Sequence, residues 1–231
     1  MILSQMLFGV FPYVAIILAV AVTCWRYFGN RFSYSGLSSQ FLENRQLFWG
    51  SVPWHYGILF VLTGHVVGFL FPLGVLAWNG VPLRLYILEV TALAFGLLAL
   101  WGLIVLIVRR VSNARIRAVT SVMDIVLLLA LLAQVISGIG IAVMYRWGSS
   151  WYAGFAVPYL WSILSFAPNT GLISNLPFLV QFHIVGAFVI LALLPFTRLV
   201  HLLSLPYSYL WRPYQLVIWN RRAGASIEKK A

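Results

Sequence analysis

The chain has 231 residues, 62% of them apolar and only 8% charged, with a mean hydropathy of +0.96. A soluble domain carries about a quarter charged residues, so this chain cannot cover its surface in water, and a soluble enzyme is excluded; disorder needs the opposite balance. Fifteen Lys and Arg against four Asp and Glu give a net charge of +11, and because the cations fall between apolar runs they read as a topology signal, with no nucleic-acid partner.

In chain order, five apolar segments are predicted to span a membrane: about 7–25, 50–71, 85–108, 119–144 and 176–200. Each has about the 20 residues that cross roughly 30 Å of hydrocarbon. The expected fold is all-α, an integral membrane bundle of five transmembrane helices, forming a single membrane domain over 1–231 with a C-terminal tail at 201–231. The first segment does not read as a cleavable signal, since no Lys or Arg precedes it and no small-residue cleavage site precedes Trp25-Arg26. Cys24 stands alone in an apolar run. That excludes a disulfide framework, a Cys-ligated iron–sulfur cluster and a CxxCH haem attachment.

The cations set an orientation. Arg26, Arg31 and Arg45 lie between spans one and two, and Arg109, Arg110, Arg115 and Arg117 between three and four. Arg198, Arg212, Arg221, Arg222, Lys229 and Lys230 lie at or after the end of span five, whereas only Arg84 and Arg146 fall on the other side. Positively charged loops stay in the cytoplasm, so the N-terminus is expected outside and the C-terminus inside a prokaryotic cell membrane. The uncharged segment Trp151–Phe166 would reverse span five if it crossed. Being short, Pro-containing and rich in Trp and Tyr, it is expected as an interfacial or re-entrant helix on the outer face.

All four histidines, His55, His65, His183 and His201, lie in or at the edge of apolar spans. Ionisable groups at membrane depth are costly and point to function. Spans two and five run in opposite directions, so His55 comes level with His201 near the inner surface and His65 with His183 near the outer. Two imidazoles facing across a macrocycle are what a six-coordinate haem iron requires, and two such pairs imply two b haems stacked across the bilayer. One mismatch accompanies this reading. The step from His55 to His65 rises about 15 Å in an α-helix, whereas that from His183 to His201 rises about 27 Å. Helix tilt, a kink at Pro195 or inclined haems must absorb the difference.

Gly57, Gly64, Gly68 and Gly186 flank these histidines; they either set the backbone back from a porphyrin face or serve close helix packing. No HExxH, carboxylate cluster, Gly-rich phosphate loop or triad is present, and the intramembrane carboxylates are Glu89 and Asp124.

The stretches SSQFLENRQLFWGSVPWHYGIL, GHVVG, RRVSNARIRAVTSVMDIVLL and FHIVGAFVILALLPFTRLVHLLSLPYSYLWRPYQL resemble the cytochrome b (gamma) subunit of the membrane-bound respiratory nitrate reductase, over nearly the whole chain. The resemblance implies two haem b groups, with His65 and His183 ligating the outer iron and His55 and His201 the inner one. It further implies oxidation of quinol (menaquinol or ubiquinol) near the outer haem, with His65, Gly64 and Arg84 as quinol-site candidates. Electrons would pass to an iron–sulfur (beta) subunit and a molybdenum catalytic (alpha) subunit on the cytoplasmic side. Arg84 has two readings: a cation for the quinone oxygens or a haem propionate, or an interfacial arginine reaching for water. Glu89 carries no role from the resemblance. Two alternatives stay open: a di-haem cytochrome b of another quinone-linked enzyme, such as a formate dehydrogenase or hydrogenase, and a transporter that relays protons through histidines.

Overall fold

The computed structural model describes residues 2–29 and 45–203. Arg31, Arg212, Arg221, Arg222, Lys229 and Lys230, and the expected tail beyond 203, lie outside the described residues. The elements are α1 (Ile2–Gly29, with a π turn at Met6–Val10), α2 (Arg45–Leu70), α3 (Pro72–Asn79), α4 (Pro82–Ser112) and α5 (Ala114–Ala118). They continue with α6 (Val122–Met144), α7 (148–164, with a π turn at Tyr152–Ala156), α8 (Gly171–Ser174) and α9 (Phe178–Phe196), before a 3₁₀ turn at Arg198–Leu202. Among the described residues there is no strand, and five helices, α1, α2, α4, α6 and α9, are long and apolar enough to cross a membrane. The architecture is an all-α membrane bundle.

Local chemistry sets the helix boundaries. Pro72 and Pro82 start α3 and α4, where a missing N–H costs nothing. The Ser121 side chain accepts from the Asp124 N–H while the Asp124 carboxylate accepts from the Ser121 N–H, a reciprocal cap that starts α6. Residues 148–164 run between Trp147 (φ 70°) and Phe166 (φ 57°), two bulky residues in the left-handed region that end helices sharply. This short helix does not extend the bundle. The buried Tyr159 donates to the Phe8 carbonyl (2.8 Å) and Tyr13 to that of Ile163 (3.0 Å), tying α7 to α1. Phe8, Ala15, Tyr159, Ile163, Ile173 and Phe188 form a buried apolar cluster there.

The α2–α4 pair has the most extensive contact, and glycine is the reason. A Cβ on Gly102 would strike the Trp54 nitrogen and the Gly50 carbonyl, and one on Gly57 the Ala99 nitrogen and the Phe95 carbonyl. The two backbones can touch only because these side chains are absent. Phe60 stacks on Phe95 with centroids 3.8 Å apart. Helix α9 packs on α6 and α1, and α4 on α6. Among the described residues, α2 and α9, the two histidine-bearing helices, share no comparable interface.

One end of the bundle gathers the cations. Arg26 at the end of α1 donates to the Pro195 carbonyl, while Arg110 at the end of α4 and Arg198 after α9 both bind Asp124 at the start of α6. The opposite end is held by neutral groups and one carboxylate. There Asn79 donates to the hydroxyls of Ser149 and Ser150 (2.9 and 2.8 Å), and Ser149 donates through its N–H and hydroxyl to Glu89 (2.8 and 2.6 Å).

Candidate functional site

At the basic end, the rings of His55 on α2 and His201 on the 3₁₀ turn meet edge-on, with centroids 6.3 Å apart and planes inclined by 65°. Two imidazoles sharing one metal between them, with metal–nitrogen bonds of about 2 Å and about 1 Å from each nitrogen to its ring centre, have centroids about 6 Å apart. The separation is one at which both imidazoles could hold a single metal ion.

The path that brings His201 there is broken at Pro195, one of the three ways in which the span over 176–200 was expected to absorb its extra length. The α-helix stops at Leu193, a 3₁₀ turn follows at Leu194–Phe196, and Thr197 is extended (φ −121°, ψ 177°) before the turn that bears His201. Pro195 lacks the N–H that would continue the helix, and the Thr197 hydroxyl accepts from the Leu199 N–H to start the new turn. The helical part from His183 to Leu193 therefore rises about 15 Å, as much as His55 to His65. Beyond Leu193 the chain is not an α-helix, so the straight-helix rise does not apply to the rest of the step to His201.

At the other end, His65 donates its Nδ1–H to the Val61 carbonyl (2.8 Å), and its ring lies 5.0 Å from that of Tyr152, whose hydroxyl donates to the His65 carbonyl (2.9 Å). His183 makes no ring contact with His65 among the described residues; it is turned into the α6–α9 interface. There Gln134 donates to its Nε2 (3.2 Å) and to its carbonyl (3.1 Å), while its Nδ1 is 2.9 Å from the Ser137 oxygen. Because Ser137 donates to the Gln134 carbonyl (2.9 Å), its oxygen is free to accept from Nδ1.

One protonation pattern follows for all four rings. Nδ1 of His55 meets the Ser51 carbonyl (2.7 Å), that of His65 the Val61 carbonyl and that of His201 the Arg198 carbonyl (2.6 Å). A carbonyl only accepts, so Nδ1 carries the proton in each, and in His183 the Gln134 amide assigns the same tautomer. Nε2 is then the basic nitrogen of every histidine. This is the usual state of a metal-bound imidazole, its second nitrogen donating to a neighbour that fixes the ring. Among the described residues no three His, Cys, Asp or Glu side chains converge, which leaves pairs of imidazoles as the candidate ligand sets.

A scan against protein-family models matches residues 4–220 to the nitrate reductase gamma subunit. The chain belongs to the nitrate reductase gamma subunit family. It is similar to the nitrate reductase gamma chain of Bacillus subtilis (strain 168), with 36% identity across 95% of this chain and 99% of that one. It is 30% identical to the respiratory nitrate reductase 2 gamma chain of Escherichia coli (strain K12), across 93% and 96%. It is 32% identical to the nitrate reductase-like protein NarX of Mycobacterium tuberculosis (strain ATCC 25618 / H37Rv), across 95% of this chain and 34% of that protein. With five membrane-length apolar helices, this member of the family is a membrane protein.

The remaining expected residues of this family member distribute as follows. Gly64 faces open space next to His65, whereas Gly57 serves backbone packing and Gly68 lies against the Tyr152 ring. Arg84 is exposed, its guanidinium 5.2 Å from the Trp78 ring centre, and the Trp78 indole donates to its carbonyl (3.2 Å). Glu89 bonds to Ser149, not to Arg84. An apolar groove of about 610 Å³ opens between Leu70–Leu76 and the 153–161 stretch; His65, Gly64 and Arg84 do not line it. Sequence reasoning missed Gln134, Ser137, Tyr152 and the Asp124–Arg198 pair. A polar side chain inside an otherwise apolar span was the signal available for Gln134 and Ser137.

Proposed function

We propose that the chain is the di-haem b membrane subunit of a respiratory nitrate reductase, oxidising quinol near the outer face and passing electrons inward to an iron–sulfur (beta) subunit. That subunit serves a molybdenum catalytic (alpha) subunit in which nitrate is reduced. The single observation carrying this reading is the His55–His201 pair, 6.3 Å between centroids, on two segments whose parent helices share no extensive interface among the described residues. The separation of the inner pair suits haem; the outer pair suits it once His183 is released by Gln134. His55 and His201 would hold the inner iron, and His65 and His183 the outer one, with Nε2 as the ligating atom of each.

Haem held there would supply one-electron transfer, at a potential set by the imidazoles that hold it and by its apolar surroundings. This chain's own part is to orient ligands, exclude water and manage protons. The carbonyls of Ser51, Val61 and Arg198 and the Ser137 hydroxyl accept hydrogen bonds from the Nδ1–H groups; Gln134 must release Nε2 of His183 before that nitrogen can ligate. Gly64, with nothing beside it, leaves room for a quinol ring near His65, and Arg84 offers the cation nearest that end of α4. The positive-inside rule puts the basic end, with Arg26, Arg109, Arg110 and Arg198, in the cytoplasm, where the soluble partners dock. Protons released on the outer side then separate charge across the bilayer, worth about 2.3 kcal/mol per charge per 100 mV.

Haem quantitation on purified His→Ala variants tests this. His55→Ala and His201→Ala are expected to lose one and the same haem spectrum, and His65→Ala and His183→Ala the other. A wild-type chain free of haem, or losses that do not pair in this way, would sink the reading.

A further inference from the structure

The turn that carries His201 is severed from α9 by the extended Thr197, so helix rigidity cannot orient its ring. Something else must. Within the turn, the Nδ1–H of His201 donates to the Arg198 carbonyl (2.6 Å). The Arg198 side chain reaches the start of α6, where Nε donates to Oδ1 of Asp124 (2.7 Å), Nη2 to Oδ2 (3.1 Å) and Nη2 also to the Val119 carbonyl (3.3 Å). A guanidinium gripping a carboxylate with two parallel bonds is fixed in angle as well as distance. Asp124 is itself held on several sides. It is buried, its Oδ2 accepts from the Ser121 N–H (3.0 Å), and Arg110 donates to the same oxygen (3.2 Å).

We propose that Asp124 and Arg198 are positioning residues that set the orientation of His201, and through it the ligand geometry of the inner haem. The chain of contact runs from the α6 cap to the carboxylate, to the guanidinium, along one residue's backbone to its carbonyl, and on to the imidazole. His55 has no such tie. Its Nδ1 partner lies one turn back on its own continuous helix, so of the two inner imidazoles only that of His201 depends on a cross-helix ion pair. The inference rests on the reading that His55 and His201 hold the inner iron.

The test uses the purified full chain with its haems and compares Arg198→Lys, Asp124→Asn and Arg110→Lys. Lysine keeps the charge at 198 but cannot make the two-pronged grip. Expected for Arg198→Lys and Asp124→Asn are an altered low-spin electron paramagnetic resonance signal of the inner haem and a three- to tenfold change in its redox equilibrium. Tenfold corresponds to about 59 mV for one electron. The outer haem stays unchanged. Arg110→Lys, which touches the same carboxylate but not the His201 turn, keeps the wild-type inner signal. Wild-type inner-haem spectra in both Arg198→Lys and Asp124→Asn, or equal disturbance of both haems, would overturn the proposal, as would an Arg110→Lys shift as large as that of Arg198→Lys. Absence of haem from the wild-type chain would instead strike the parent reading, and the two failures are separable.

Discussion

The side-chain amide of Gln134 donates to Nε2 of His183 at 3.2 Å, occupying the nitrogen that would bind iron, while Ser137 holds the ring from the Nδ1 side at 2.9 Å. The two contacts differ in kind. Ser137 supports the ring in either state, whereas Gln134 competes with a metal. The competition is cheap to lose, because the Gln134 Oε1 is buried without a hydrogen-bond partner, so the amide is only half satisfied where it stands.

Ser137→Ala is therefore expected to weaken outer-haem retention by about 10- to 100-fold, the usual cost of removing the partner that orients a metal-bound imidazole. The inner haem stays in place. Haem titration of the purified protein, followed at the two haem spectra separately, checks this. Gln134→Ala is expected to keep both haems, and loss of the outer haem in that variant would assign Gln134 a supporting role instead.

Gly102 lets α4 lie directly on the backbone of α2 at Gly50 and Trp54. Gly102→Val puts two methyl groups where backbone atoms sit, and overpacking of this kind costs about 1–3 kcal/mol or more. Since α2 carries both His55 and His65, the variant should lose both haems together and melt earlier in detergent. A thermal scan with haem absorbance as the signal distinguishes this from a local defect at one ligand.

Burial pushes the Tyr152 phenol up from 10.0 to about 12. A phenol whose proton is held more tightly in the folded chain stabilises the fold fully below about pH 10, and that contribution is lost as pH rises towards 12. The hydrogen bond from Tyr152 to the His65 carbonyl (2.9 Å) should thus survive mild alkali. Tyr152→Phe is expected to lower stability by about 0.5–1.5 kcal/mol at neutral pH and to flatten the decline between pH 10 and 12. Denaturation midpoints measured across that range give the comparison.

Arg84 sits on the first turn of α4 with its guanidinium over Trp78, a contact worth about 0.5–1 kcal/mol at an exposed site. If Arg84 serves quinol, Arg84→Ala raises the KM for quinol several-fold while haem content and both haem spectra stay unchanged. Steady-state quinol oxidation by the assembled complex measures this. An unchanged KM would leave the arginine with only its Trp78 contact.

Much of the architecture was readable along the chain because membrane crossing is a local property. Runs of about 20 apolar residues depend on no distant contact, so the five helices of membrane length could be read along the chain. Three features depended instead on how helices rotate and cross. Gly57 was equally readable as clearance for a porphyrin or as helix packing, and the approach of Ala99 and Phe95 decided for packing. The eighteen-residue step from His183 to His201 looked too long for its partner until the extended Thr197 divided it. The hydrogen bonds of Gln134 and Ser137 to His183, and of Arg198 to Asp124, join residues 46 to 74 positions apart. Periodicity can say that such a side chain lies in a span, but which neighbour it meets is set by the angle and offset of a second helix, and those exist only once the bundle has packed.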